Sequence, residues 1–144
     1  MGADLITRSL EVMKIGGCEF KKQDKAFVTY APKLFAKDGH IVWKRTSSEI
    51  RNQVRGLTPR PGAYTMFKEK RLEVLQVLPE IGNREAEIDI LPGQIIALEK
   101  NRGPVVKTGD GTIILLEVKP QGKKAMSGDE FIRGYKPSVG EQLL

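Results

Sequence analysis

Cysteine and histidine are nearly missing from this sequence, which has one of each, Cys18 and His40. A single thiol forms no intramolecular disulfide, and the two residues together cannot build a zinc site. Cys18 stands beside Glu19, whose charge disfavours the thiolate a nucleophile needs. His40 follows Asp38-Gly39, but no serine or cysteine has the motif context of a triad. Gly109-Asp110-Gly111 lacks the lysine–serine pair of a phosphate loop and the ligand spacing of a calcium loop, and reads as a turn. The sequence thus offers no catalytic residue, no metal ligand set and no cofactor site. Long apolar runs are absent too: the longest, Thr112–Leu116, is strand-sized, far short of the roughly 18 residues of a membrane span. Asp4 and Glu11 interrupt any secretory pattern at the start, so a cytoplasmic protein without membrane contact is expected. Aromatics are also scarce: Trp43, three tyrosines and five phenylalanines.

Charge of one sign is in excess. The 144 residues carry 24 Lys and Arg against 18 Asp and Glu, a net of +6. The excess is polarised along the chain. Lys33 to Arg71 holds ten basic and three acidic residues, whereas Leu72 to Glu99 holds one basic and six acidic. An ordinary solvated surface mixes the signs more evenly, and a concentrated basic stretch points to an anionic partner such as nucleic acid.

Ile6, Leu10 and Met13 mark one face of a helix over Asp4–Ile15, stopped by Gly16-Gly17. Cys18 to Lys25 reads as a linker. From Phe27 onward strands dominate, with candidates at His40–Lys44, Ala63–Lys68, Leu72–Leu78, Gln94–Glu99, Val105–Lys107 and Thr112–Val118. Residues 68–71 and 108–111 make short hairpin turns, and Ile81 to Leu91 makes a longer loop. Thr46-Ser47-Ser48-Glu49 and Ser127-Gly128-Asp129-Glu130 have capping-box spacing and open two helices, the first ended near Gly56 and the second at Gly134. The predicted core comprises Val28, Ile41, Trp43, Ile50, Val54, Leu57, Tyr64, Leu72, Val74, Ile95, Ala97, Ile113, Leu115, Phe131 and Ile132. The fold class is mainly β with short helices: a small β-barrel of the oligonucleotide-binding type in residues 26–144, preceded by a helix and linker in residues 1–25.

Arg51 and Arg55 lie one turn apart on the helix opened by Thr46, about a quarter turn from its apolar face. Lys44 and Arg45 lead into that helix and Arg60 leaves it. Lys123-Lys124 is a second cluster, and Lys21-Lys22 lies in the linker. These nine cations are the candidate RNA-binding residues. Because most aromatic residues are wanted by the core, contact with the phosphates of folded or duplex RNA is favoured over base stacking.

Several strings taken together resemble one family. They are Thr29-Tyr30-Ala31-Pro32-Lys33, Asp38-Gly39-His40-Ile41-Val42-Trp43, Ile50-Arg51-Asn52-Gln53-Val54-Arg55-Gly56-Leu57 and Pro59-Arg60-Pro61-Gly62-Ala63-Tyr64. Thr108-Gly109-Asp110-Gly111, Gly122-Lys123-Lys124-Ala125-Met126-Ser127 and Phe131-Ile132-Arg133-Gly134-Tyr135 follow in order. From about Gln23 to the end the chain resembles the C-terminal domain of methionyl-tRNA formyltransferase. The resemblance implies a part of an enzyme that formylates the amino group of methionyl-initiator-tRNA with 10-formyltetrahydrofolate as co-substrate. It implies that the chemistry resides in an N-terminal catalytic domain whose motifs this chain lacks. The chain is then expected to be a fragment, inactive alone, whose partners are tRNA and that domain. Arg60 stands where the family often has Trp, and Val42 where it often has an acidic residue. Two alternatives are the same domain from a formyltransferase acting on a small amine or nucleotide sugar, and a structural interdomain module without RNA binding. The apolar stripe of residues 4–15 is expected to find cover, by self-association if not within the chain.

Overall fold

The computed structural model describes residues 2–17, 19, 21–80 and 90–144, which divide into two compact units, Met1–Lys33 and Leu34–Leu144. Cys18 and most of the loop expected between Ile81 and Leu91 lie outside the described residues. In the first unit, α1 spans Gly2–Lys14. It closes as glycine permits: Gly16 takes φ 71°, its amide donates to Met13 O, and the Gly17 amide donates to Val12 O. A 3-10 turn at Lys25–Phe27 follows, capped by the Asp24 side chain. No residue of α1 is buried, and its stripe of Leu5, Ile6, Leu10 and Met13 is exposed.

The second unit is a mainly antiparallel sheet with two helices. The strands are β1 (Ala63–Phe67), β2 (Lys70–Glu80), β3 (Ile95–Glu99), β4 (Gly103–Lys107), β5 (Thr112–Pro120) and β6 (Met126–Ser127), in spatial order β1-β2-β5-β4-β3 with β6 on β5. The expected closed barrel is not formed by the strands: β1 and β3 are the free ends of an open path. The C-terminal tail, whose role no local pattern signals, lies against both ends. Ile95 and Gly140 exchange bonds with it and with β3 (Ile95 N to Glu141 O, Gly140 N to Ile95 O), Leu143 N donates to Gly93 O, and Leu144 pairs with Met66 of β1 in both directions. A short hydrogen-bond relay supports this junction: the Trp43 indole Nε1 donates to Thr65 Oγ1, which donates to Leu144 O.

His40–Lys44 is not a strand. Its apolar alternation is real, with Ile41 and Trp43 buried and Val42 exposed, but it makes a single bridge, His40 to Tyr64, before turning at Trp43-Lys44. Alternating burial produced the strand-like pattern; a ladder also needs a run of partners, and the outer edge of β1 gives this segment only Tyr64 before the C-terminal tail pairs with Met66. The other expected strands are present, with β2 extended to Glu80, where Arg102 reaches the carboxylate at 3.2 Å.

The helices follow their caps. α2 spans Ser47–Leu57 and α3 spans Gly128–Tyr135, each with its reciprocal capping box. The α3 helix runs through Gly134 and ends at Lys136, which takes φ 46°. Gly128 starts it because a Cβ there would overlap the Leu115 carbonyl. Ile50, Val54 and Leu57 bury the inner face of α2 with Ile41, Trp43, Leu72, Val74, Ile113, Leu115 and Phe131. Of the expected core, Tyr64, Ala97 and Ile132 are only half-buried, and Val28, in the first unit, is exposed. Among the described residues, no helix is long and apolar enough to cross a membrane.

Candidate nucleic-acid interface

The α2 element is fixed at its start and at its midpoint. At its start, the Thr46 hydroxyl and amide both donate to Glu49 Oε2, at 2.7 and 2.9 Å, and the Glu49 amide donates back to Thr46 Oγ1. A second carboxylate comes from the β4–β5 turn: Ser47 donates from its amide to Asp110 Oδ1 at 2.7 Å and from its hydroxyl at 3.1 Å. The positive end of the helix dipole is therefore already matched by two internal anions. Gly109 makes this docking possible. Its amide donates to Arg45 O at 2.9 Å, and a Cβ there would overlap the Lys44 carbonyl. At the midpoint, Gln53 Nε2 donates to the carbonyls of Asp38 and His40. The Lys44-Arg45 turn, Arg51 and Arg55 thus project from a rigid support, which is how a surface becomes pre-organised for a ligand.

These contacts shift the carboxylates. Hydrogen bonds from the Thr46 side chain and then its amide hold Glu49 below the ordinary glutamate value. The Ser47 amide, with help from the Ser47 and Thr108 hydroxyls, does the same for Asp110, and the Ser127 amide and hydroxyl do it for Glu130. A carboxylate depressed on folding contributes stability that is full above its unfolded value, near pH 4, and lost as pH falls through the lower folded value. Urea midpoints should accordingly hold from neutral pH to about pH 5 and fall in the window below about pH 4. An Asp110→Asn variant should be less stable than the parent at neutral pH, with the gap closing in acid. A gap that persists unchanged at pH 3 would show that Asp110 contributes by shape and not by charge.

All nine candidate cations are exposed. Lys21 and Lys22 belong to the first unit. Arg55 donates from Nε to the Asn52 side chain at 2.9 Å, which orients it beside Arg51 on the helix surface. Arg60 lies in a shallow hollow with Pro59, Pro61, Leu34, Glu73 and Lys119. Lys123 lies in another, with Lys68, Lys70 and Arg71. Glu73 pairs with Lys119 across β2 and β5, and Leu72 pairs with Pro120. Successive strand residues face opposite ways, so the two hollows lie on opposite sides of this ladder. The structure therefore groups Lys44, Arg45, Arg51 and Arg55 around α2, and places Lys123 with a different set of cations.

Carboxylates neutralise many cations elsewhere. Lys68 pairs with Glu141, Arg71 and Lys119 with Glu73, Arg102 with Glu80 and Glu99, and Arg133 with Asp129. Among the described residues, Lys44, Arg51, Arg60, Lys123 and Lys124 have no such ion pair. Sequence reading missed Lys68, Lys70, Arg71 and Lys119. The hairpin register that brings them beside the others was the available signal, since the Lys68-Glu69 turn joins Phe67 to Lys70 as a pair.

Residues 33–136 match the model of the formyl transferase C-terminal domain. The chain belongs to that family. Relatives in it include methionyl-tRNA formyltransferase of Carboxydothermus hydrogenoformans, 39% identical over 98% of this chain and 44% of that protein. The methionyl-tRNA formyltransferase of Natranaerobius thermophilus is also 39% identical, over 99% of this chain and 45% of that protein. The chain spans less than half the length of these curated relatives. Among solved structures, HypX from Aquifex aeolicus superposes with a TM-score of 0.62 at 17% identity, over 96% of this chain and 25% of that one. HypX in complex with tetrahydrofolic acid superposes with a TM-score of 0.61. At this identity HypX shares the formyl transferase C-terminal domain fold, which agrees with the open antiparallel sheet found here.

Proposed function

We propose that this chain is the tRNA-binding C-terminal module of a methionyl-tRNA formyltransferase, working in the cytoplasm. In this reading its fold is an oligonucleotide-binding type of barrel, in which the C-terminal tail takes the place of a strand contact between β1 and β3. The reaction, formyl transfer from 10-formyltetrahydrofolate to the amino group of methionyl-initiator-tRNA, is carried by an N-terminal catalytic domain, the module's protein partner. The observation that carries the RNA-binding part is the set of exposed cations on and beside α2, of which Lys44, Arg51 and Arg55 have no carboxylate partner among the described residues. An ordinary charged helix face satisfies such side chains with its own Asp and Glu. Here the acidic residues at the helix start are engaged in the caps, which leaves Lys44, Arg45, Arg51 and Arg55 for phosphates, with Arg60 just beyond the helix; Lys123-Lys124 and, in the first unit, Lys21-Lys22 supply phosphate contacts of their own. Arginine is suited to this because its planar fork holds two phosphate oxygens.

The test is direct binding of tRNA to this chain, followed by fluorescence anisotropy at low salt. Micromolar or tighter binding that declines with salt is the expected result. No binding at low salt would instead leave a module that serves a small-substrate formyltransferase or only positions a neighbouring domain.

The bare stripe on α1 supports a second contact. A 13-residue amphipathic helix with no buried residue exposes Leu5, Ile6 and Leu10 to water, and such stripes associate when no other cover exists. The mean sedimentation coefficient of the chain should rise between micromolar and millimolar concentration, and Leu10→Glu should abolish the rise. A concentration-independent monomer would exclude self-association through this helix.

A further inference from the structure

The cavity at the open end between the β1–β2 hairpin, the end of β5 and α3 is unlike the rest of the surface. Its volume is about 350 Å³, at the lower end for small-ligand pockets. Its floor is apolar and aromatic, with Phe67, Leu72, Phe131 and Tyr135, and its rim is basic, with Lys70 and Lys123. Phe67 meets Phe131 edge-on at 5.1 Å, and Tyr135 stacks parallel on Phe131 at 5.0 Å, leaving Tyr135 half-buried. Among the described residues, no carboxylate lines the cavity. Lys70 and Lys123 have no ion pair among the described residues. Arg71, also in the wall, holds its guanidinium 3.9 Å over the Tyr64 ring and is committed to Glu73, whose carboxylate lies 3.9 Å from its Nε. The walls are tied together, since Gln121 N donates to Arg71 O and Arg71 N donates to the Gln121 side chain.

An apolar, aromatic floor under a basic rim fits a ligand that is an aromatic ring at one end and an anion at the other. We infer that this cavity receives one unpaired nucleotide of a bound RNA, its base against Tyr135 and its phosphate on Lys70 and Lys123. The inference rests on the proposed RNA-binding function, which supplies the strand, and adds to it a site for a base. Stacking on an aromatic side chain is indifferent to base identity, so the cavity selects single-stranded over paired nucleotides and not one sequence over another.

The test compares a short blunt-ended RNA duplex, the same duplex with a single-stranded overhang, and AMP, each titrated against the full chain. The overhang should raise affinity about tenfold, in keeping with one base stacked on an aromatic residue. Lys70→Gln, at an exposed position, and Tyr135→Leu, which keeps an apolar side chain against Phe131, should each remove that gain while leaving blunt-duplex binding unchanged. AMP alone should bind only at millimolar concentration or above, since a tenfold gain is worth about 1.4 kcal/mol. Equal binding of blunt and overhanging duplexes overturns the pocket and leaves the RNA-binding function standing. Tight binding of AMP with no overhang gain overturns it in favour of a free nucleotide. Failure of both duplexes to bind at low salt removes the proposed function, and the pocket with it.

Discussion

Raising salt from about 50 to about 200 mM should weaken tRNA binding by roughly 16- to 250-fold, a log–log slope of about −2 to −4. The slope follows from counterion release when three to five phosphates are neutralised, about the number that the cations around α2 reach. Arg51→Ala combined with Arg55→Ala should flatten the slope by roughly 1.5 to 2 and weaken all tRNAs about equally, since phosphate contacts carry no sequence information. The fold should not suffer: both side chains are exposed, among the described residues the one hydrogen bond they make is from Arg55 to Asn52, and alanine is the better helix former. A double variant with parental affinity and slope would remove α2 from the interface. Retained binding with a shallow slope in the parent would instead place the affinity on aromatic contacts, with Tyr135 the first residue to examine.

What the sequence disclosed follows the range of the interactions involved. The α2 helix was legible because all its determinants are local: the Thr46–Glu49 box, the Ile50–Val54–Leu57 spacing and the prolines beyond Thr58. The hairpins were legible at their turns for the same reason. The second role of Asp110 was not, since its partner Ser47 lies 63 residues away and Asp-Gly is already explained by a turn. The tail was invisible too: Leu144 bonds across 79 residues to Thr65, and a run of Glu, Gln and Leu has no periodicity to announce it. His40–Lys44 shows the reverse error, in which burial alternation imitates a strand that has no ladder. The cations were found by composition, but not their division between two sides of the β2–β5 ladder, because that depends on register. The pocket was overlooked because Phe67, Phe131 and Tyr135 each look like ordinary core residues. Only their common position beneath Lys70 and Lys123 makes a site.

Phe131→Ala should be among the most damaging single substitutions in the second unit. Phe131 is 1% exposed, contacts the Phe67 and Tyr135 rings, and belongs to the cluster shared by α2 and the sheet. Truncating it removes the transfer free energy of the ring and leaves a cavity that α3 can fill only partly, since Gly128 is already in close contact with the Leu115 and Arg102 carbonyls. Such losses run to about 3–5 kcal/mol, a large fraction of the 5–15 kcal/mol that stabilises a typical domain. The denaturant midpoint should fall accordingly, with the slope of the transition unchanged. Phe131→Leu, which keeps most of the volume, should cost less than half as much. Because Phe131 also underlies the cavity while the α2 cations are exposed on a different helix, both variants should lose the overhang gain. At a temperature where Phe131→Leu remains folded, blunt-duplex binding should survive in it. A loss below about 1.5 kcal/mol in Phe131→Ala would mean that α3 collapses into the space, against the close backbone contact at Gly128.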